Sequence, residues 1–206
     1  MDNFLKSLTT YKQCGQEFTD WHKGISHYGF WAVEIHDPNW LSVIKSAQSY
    51  LQQYSYPNYL RAPHITISAC GLIDEHHFST VQLNQQVEAL QKLSISPFKL
   101  TLGPLDSFTS AMYLGIEDHN DSLYKIREHL NAITADHPTE IFYPHITLGL
   151  YRENFKTSEV AKTIQNFRLK APQNLTAIDV KELVFCRYET KVLQGPFKIE
   201  RRIKLI

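Results

Sequence analysis

Aromatic and β-branched residues crowd the stretch from His27 to His36 (Tyr28, Phe30, Trp31, Val33, Ile35), which predicts a strand that Asp37-Pro38 ends. Asp37 suits a helix cap and Pro38 a first helical residue, because proline's missing N–H is no loss there. Trp40, Leu41, Ile44, Ala47, Tyr50, Leu51 and Tyr54 then recur at helical spacing, until Ser55-Tyr56-Pro57-Asn58 closes the segment. A strand over 64–70 follows, and Leu83, Val87, Leu90 and Leu93 mark a helix from about Ser79 to Leu93. Further on, Phe98, Leu100 and Leu102 alternate with Lys99, Thr101 and Gly103 as a strand, with Met112 to Ile116 as its return. Leu123, Ile126, Leu130 and Ile133 share a helical face near His119 to Ile133, and the last helix spans about Ser158 to Phe167. Ile178 to Tyr188 forms a late strand, and Gln194-Gly195-Pro196 turns into a final one, Phe197 to Leu205.

One string occurs twice in this pattern. Pro63-His64-Ile65-Thr66-Ile67 returns as Pro144-His145-Ile146-Thr147-Leu148, an offset of 81 residues (145 minus 64). The same offset carries Ile35 to Ile116, Asp37 to Asp118 and Pro57 to Pro138, so strand end, helix cap and the proline before the motif recur in register. Each half therefore reads strand, helix, His-x-Thr strand, helix. The predicted fold is α+β with two pseudo-twofold-related lobes, antiparallel-rich sheets and a central groove, in a single domain over residues 27–206. Residues 1–26 have no strong period and form an N-terminal extension with at most one short helix.

Composition narrows the surroundings. A chain of 206 residues that is 43% apolar can bury one substantial core. Its 21 basic and 21 acidic residues cancel, so no global positive field gathers long nonspecific nucleic acid, and a nucleotide ligand is expected to be small or locally held. Cys14, Cys70 and Cys186 fit neither a disulfide framework nor zinc-knuckle spacing, which points to a reducing compartment. The first thirty residues hold Lys6, Lys12, Glu17 and Asp20 with no apolar run suited to a signal peptide, and no stretch suits a membrane span. The expected location is the cytosol, with no membrane partner.

Strand parity gives the repeat its chemistry. Residues two apart share a face, so His64 and Thr66 point one way while Ile65 and Ile67 face the core; His145 and Thr147 oppose Ile146 and Leu148 in the same manner. Two imidazoles and two hydroxyls converging on one groove suit a reaction at phosphorus. One neutral imidazole takes a proton from the attacking oxygen and one imidazolium protonates the leaving oxygen, while the hydroxyls hold non-bridging oxygens. A lone His-x-Thr is ordinarily a half-exposed strand pair, and repetition in register reverses that reading. A metal site is the weaker alternative, because the motif strands carry no carboxylate on the His/Thr face and no His-x-x-x-His occurs. No cofactor is expected.

Parity also extends the groove face to Ser68 and Cys70 on the first strand and to Gly149 and Tyr151 on the second, with Cys70 more suited to an inert buried thiol than to a nucleophile. Tyr143 and Arg152 are candidate substrate-binding residues: Tyr143 lies two before His145, and Arg61 and Arg152 flank the two motifs, where a guanidinium could hold a second phosphate. Surface solvation is the plainer reading for either arginine. Tyr11, Trp21, Phe108 and Tyr113 are candidate base platforms, although most aromatics serve the core.

The paired His-Ile-Thr-Ile and His-Ile-Thr-Leu strings resemble the two H-x-[T/S]-x-hydrophobic signatures of the 2H phosphoesterase superfamily, over roughly residues 28 to 190. That group includes RNA 2′,3′-cyclic phosphodiesterases once called 2′-5′ RNA ligases. The resemblance implies a bilobal α+β fold, metal-independent phosphodiester chemistry, and His64, Thr66, His145 and Thr147 as the acid–base and phosphate-binding quartet. The expected partner is a small nucleotide, a cyclic nucleotide or a short RNA-like substrate, 2′,3′-cyclic or 2′-5′-linked. A noncatalytic nucleotide or RNA-end binding module and a metal-dependent hydrolase stay open as alternatives.

Overall fold

The computed structural model describes residues 1–13, 20–136, 141–172, 175–192 and 194–206. Cys14, Pro138 and so the proline part of the 81-residue correspondence lie outside the described residues. The elements run α1 (Asp2–Leu5), β1 (His27–Glu34), α2 (Pro38–Leu51), β2 (His64–Leu72), α3 (Thr80–Leu93), β3 (Phe98–Ser107), β4 (Ala111–Glu117), α4 (Ser122–Asn131), β5 (His145–Leu150), α5 (Thr157–Arg168), β6 (Ile178–Val180), β7 (Glu182–Glu189) and β8 (Phe197–Lys204). The result is a mixed α+β fold, as the alternating strand and helix periods predict.

Local chemistry sets most boundaries. Asp37 Oδ1 accepts from the Asn39 and Trp40 N–H groups at 3.0 Å each and starts α2. Ser79 and Gln82 form a reciprocal capping box at the start of α3. Helix α4 begins at Ser122, three residues after the predicted His119, because Asp121 adopts a left-handed conformation (φ 55°). Asp118 still serves that terminus, since its carboxylate accepts from the Leu123 N–H at 2.6 Å.

The eight strands order as β6-β3-β4-β5-β2-β1-β7-β8, with every described pairing antiparallel. The two motif strands, β2 and β5, are thus central neighbours, joined at the pair Ile65–Ile146. The predicted late strand over Ile178–Tyr188 is two strands. The strand is interrupted at Lys181: β6 before it pairs with β3, and β7 after it pairs with β1. Consecutive strands at distant places in the order require the sheet to curl.

One sheet face packs against the helices in the main core, where Ile65, Ile67, Ile146 and Leu148 are at most 2% exposed. Burying each such side chain contributes about 1.5–3 kcal/mol. The opposite face carries a small cluster of Phe30, Ala32, Val184 and Cys186. Residues 1–13 pack along the second half: Phe4 enters the core, and the backbone N–H groups of Thr10, Tyr11 and Gln13 bond to Phe155, Thr109 and Tyr151 carbonyls. Among the described residues, no helix is long and apolar enough to cross a membrane.

Each motif strand contains a bulge at the same point. Ala32 pairs with Thr66, but Trp31 pairs with Ser68; likewise Tyr113 pairs with Thr147, but Met112 pairs with Gly149. All four residues of the second set stand 81 positions after those of the first. An extra residue reverses the parity beyond it. Ser68 therefore turns to the helix face, where its hydroxyl donates to Asn131 Oδ1 at 2.6 Å, and Cys70 joins the main core. Tyr151 is likewise buried in that core, its hydroxyl bonded to Ser107, and a Cβ on Gly149 would meet Ser55. The expectation that these four line the groove is corrected: unbroken alternation ends at the bulges.

Candidate active site

Up to the bulges, alternation holds and sets the four motif side chains on one face. Antiparallel pairing through Ile65–Ile146 places His64 opposite Thr147 and Thr66 opposite His145 in register. Each motif strand thus offers its imidazole across from the other strand's hydroxyl. A cavity of about 230 Å³ is lined by His64, Thr66 and Thr147 together with Arg61, Tyr188 and Leu150. His145 is not among its lining residues, but it is near enough to His64 that its charge disfavours protonation there.

Both imidazoles are oriented by the same backbone device. His64 Nδ1 lies 2.8 Å from the Ala62 carbonyl oxygen, and His145 Nδ1 lies 2.6 Å from that of Tyr143. A carbonyl only accepts, so each Nδ1 carries the proton and donates it, leaving Nε2 as the reactive nitrogen when the ring is neutral. The partner is two residues upstream in both cases, a contact made by extended backbone before the strand.

The surroundings differ. His64 is 8% exposed, with the Phe30 and Phe197 ring centroids at 5.3 and 5.0 Å. Burial is the main cause pushing its pKa down to about 4, helped by the charges of Arg61 and His145 and opposed by the Ala62 carbonyl. His145 is partly exposed between Phe108 and Tyr113, at 5.0 and 5.2 Å. Its pKa is also lowered, first by desolvation, against the raising effect of the Tyr143 carbonyl.

The structure sorts the remaining candidates. Phe108 and Tyr113 stack on each other at 4.2 Å beside His145, whereas Trp21 packs edge-on against Tyr28. Tyr143 is half exposed, 6.4 Å from the Phe108 ring, and supplies its carbonyl to His145. Arg152 does not line this cavity: it is exposed and borders a neighbouring cleft with Gln48, Gln52 and Tyr59, the last of which lines both. Arg61 is brought there instead, with its guanidinium 3.9 Å over the Tyr188 ring and its Nε–H donating to the Gly195 carbonyl at 3.2 Å. Burial pushes the Cys70 thiol up to about 12, which suits an inert side chain. Sequence reasoning passed over Tyr188 and Gln194, both in the cavity wall, because they come from the far end of the chain and carry no motif. Among the described residues, no group of three or more His, Cys, Asp or Glu side chains gathers as a metal would need. A larger cavity of about 580 Å³ between β3 and the end of α5 contains none of the four motif residues.

Comparison with known proteins gives the same region a context. The family model described as the 2′-5′ RNA ligase superfamily matches residues 35–191. No curated protein sequence matches the chain. Among solved structures, the fold is similar to TT0787 of Thermus thermophilus, at 16% identity and a TM-score of 0.58 over 86% of this chain and 97% of that one. It is similar to E. coli LigT complexed with 3′-AMP, at 16% identity and a TM-score of 0.56 over 88% and 99%. A protein described as a phosphoesterase aligns at 15% identity with a TM-score of 0.56, over 87% and 98%. At such identities the structural likeness concerns the fold.

Proposed function

The chain belongs to the 2′-5′ RNA ligase superfamily, and from that membership and the paired His-x-Thr strands we propose that it is a metal-independent phosphodiesterase acting on 2′,3′-cyclic or 2′-5′-linked nucleotides or short oligonucleotides. Phosphoester chemistry is the family's province; the substrate class and the two-histidine mechanism are our reading. The observation that carries it is the matched orientation of two imidazoles, each with Nδ1 committed to a carbonyl and each set in register opposite a threonine of the other strand.

His64 acts as the base. Its burial and the nearby Arg61 keep it neutral, so Nε2 can take a proton from the attacking water. His145, more open to solvent, acts as the acid. As the water oxygen bonds to phosphorus, the bond from phosphorus to the leaving ribose oxygen breaks, and that oxygen takes the His145 Nε2 proton. Thr66 and Thr147 hydroxyls hold the non-bridging oxygens, where negative charge grows in the transition state. Each acid–base step of this kind contributes roughly 10²–10⁴-fold. Tyr143 stands beside His145 as a side chain for the nucleoside, while Arg152, outside the cavity, has no part in this reading. LigT has been solved with 3′-AMP, ATP and NADP⁺, which supports a small nucleotide ligand here by analogy.

The test is a panel of 2′,3′-cyclic mononucleotides with 2′-5′ and 3′-5′ dinucleotides, assayed with and without EDTA and resolved by the position of the product phosphate. Turnover of a cyclic or 2′-5′ member, unchanged by chelator, is the expected result. Complete loss of turnover in EDTA would overturn the metal-independent mechanism, and recovery of every member unaltered would overturn the hydrolase.

A further inference from the structure

Arg61 poses an electrostatic problem that the acid–base pair does not solve. It is half buried in the cavity wall, and among the described residues no carboxylate pairs with it. A guanidinium taken out of water without a counterion is costly. The fold nevertheless fixes it firmly. Tyr188 lies flat beneath it at 3.9 Å, and Tyr188 is in turn stacked on Tyr28 at 5.3 Å, whose hydroxyl donates to Asp136 at 2.6 Å. On the other side Nε–H meets the Gly195 carbonyl.

The turn bearing that carbonyl is itself tied to the segment bearing Arg61. Gln194 is 1% exposed, its Nε2 donates to the Tyr56 and Pro57 carbonyls, its Oε1 accepts from the Leu150 N–H, and its backbone carbonyl accepts from the Leu60 N–H. A flexible surface arginine needs no such frame. A preorganised cation, open to a cavity that also presents two threonine hydroxyls, is the arrangement that receives an anion.

We propose that Arg61 is an anion-binding residue of this cavity, and that its fixed charge makes the groove hold phosphomonoester dianions more tightly than phosphodiester monoanions. The choice of phosphorus ligands rests on the proposed phosphodiesterase reading. Hydrolysis turns a singly charged diester into a monoester whose second pKa is about 6, so the product is a dianion at neutral pH. The same cation that draws the substrate in therefore retains the product, and phosphomonoesters become competitive inhibitors.

Calorimetric titration tests this without relying on turnover. Inorganic phosphate and dimethyl phosphate, a monoanionic diester, are titrated at pH 7.5 into the wild type, Arg61→Gln and Arg61→Lys. Wild type is expected to favour inorganic phosphate over dimethyl phosphate. Arg61→Gln should bind inorganic phosphate about 10- to 100-fold more weakly, as loss of a charged hydrogen-bonding partner implies, and lose most of the preference. Arg61→Lys should retain part of both, provided its melting temperature matches the wild type. Equal phosphate affinity in wild type and Arg61→Gln would overturn the proposal, as would equal loss in the Lys and Gln variants. Binding that follows Arg61 in a protein that cleaves no diester would leave this inference standing and remove the hydrolase; turnover with affinity indifferent to Arg61 would do the reverse.

Discussion

His64 and His145 stand on the same backbone device, yet they experience different media. Each occupies the first position of a His-x-Thr strand, donates from Nδ1 to a carbonyl two residues earlier, and precedes a bulge at the same relative position. His64, however, is closed in by Phe30 and Phe197 with Arg61 nearby, while His145 is partly open between Phe108 and Tyr113. Shared geometry aims both reactive nitrogens, and desolvation lowers the pKa of each, to about 4 at His64. In the proposed mechanism His64 serves as the base and His145 as the acid of a single groove.

Removing either member breaks the comparison at its strongest point. His64→Ala and His145→Ala should each lose roughly 10²–10⁴-fold in kcat on the responsive panel substrate, because neither imidazole can perform both proton transfers in one step. Circular dichroism and melting should remain close to wild type for His145→Ala. Near-normal rates in either variant would dissolve the pair.

A smaller effect sharpens the asymmetry in stability. The unfolded His64 has a pKa of about 6.5 and the folded one about 4, so between these values the unfolded chain binds the extra proton. The stability contributed by neutral His64 is complete above the unfolded value and falls as pH drops from 6.5 towards 4, by about 3 kcal/mol in all. Urea unfolding across this window should show a shallower loss in His64→Gln than in wild type. Matching slopes in wild type and His64→Gln would mean that folding leaves the His64 pKa unchanged, against the burial described.

Sequence pattern revealed what short-range rules control. Asp37 and Ser79 cap helices as their spacing implies, and alternation set His64, Thr66, His145 and Thr147 on one face because the ladder is unbroken there. The same alternation failed at Ser68, Cys70, Gly149 and Tyr151, since a bulge is set by how neighbouring strands pair and leaves no mark in periodicity. Arg61 and Arg152 flank their motifs in similar fashion, and only the fold separates them: the turn at Gln194-Gly195 and the ring of Tyr188 draw one into the cavity. Lys181 likewise gave no sign that it divides two strands on distant parts of a curled sheet. Local chemistry was legible, and contacts closed by the far end of the chain were not.

The pH dependence of kcat/KM in EDTA-containing buffer tests the proposed acid–base pair most directly, because that mechanism requires His64 neutral and His145 protonated in the same molecule. With both pKa values below the ordinary 6.5, the profile should be a bell whose maximum lies between about 4 and 6.5, and its alkaline limb should vanish in His145→Ala. A profile that is flat or rising from about pH 5 to 8 in the wild type, or an alkaline limb that survives in His145→Ala, would contradict it.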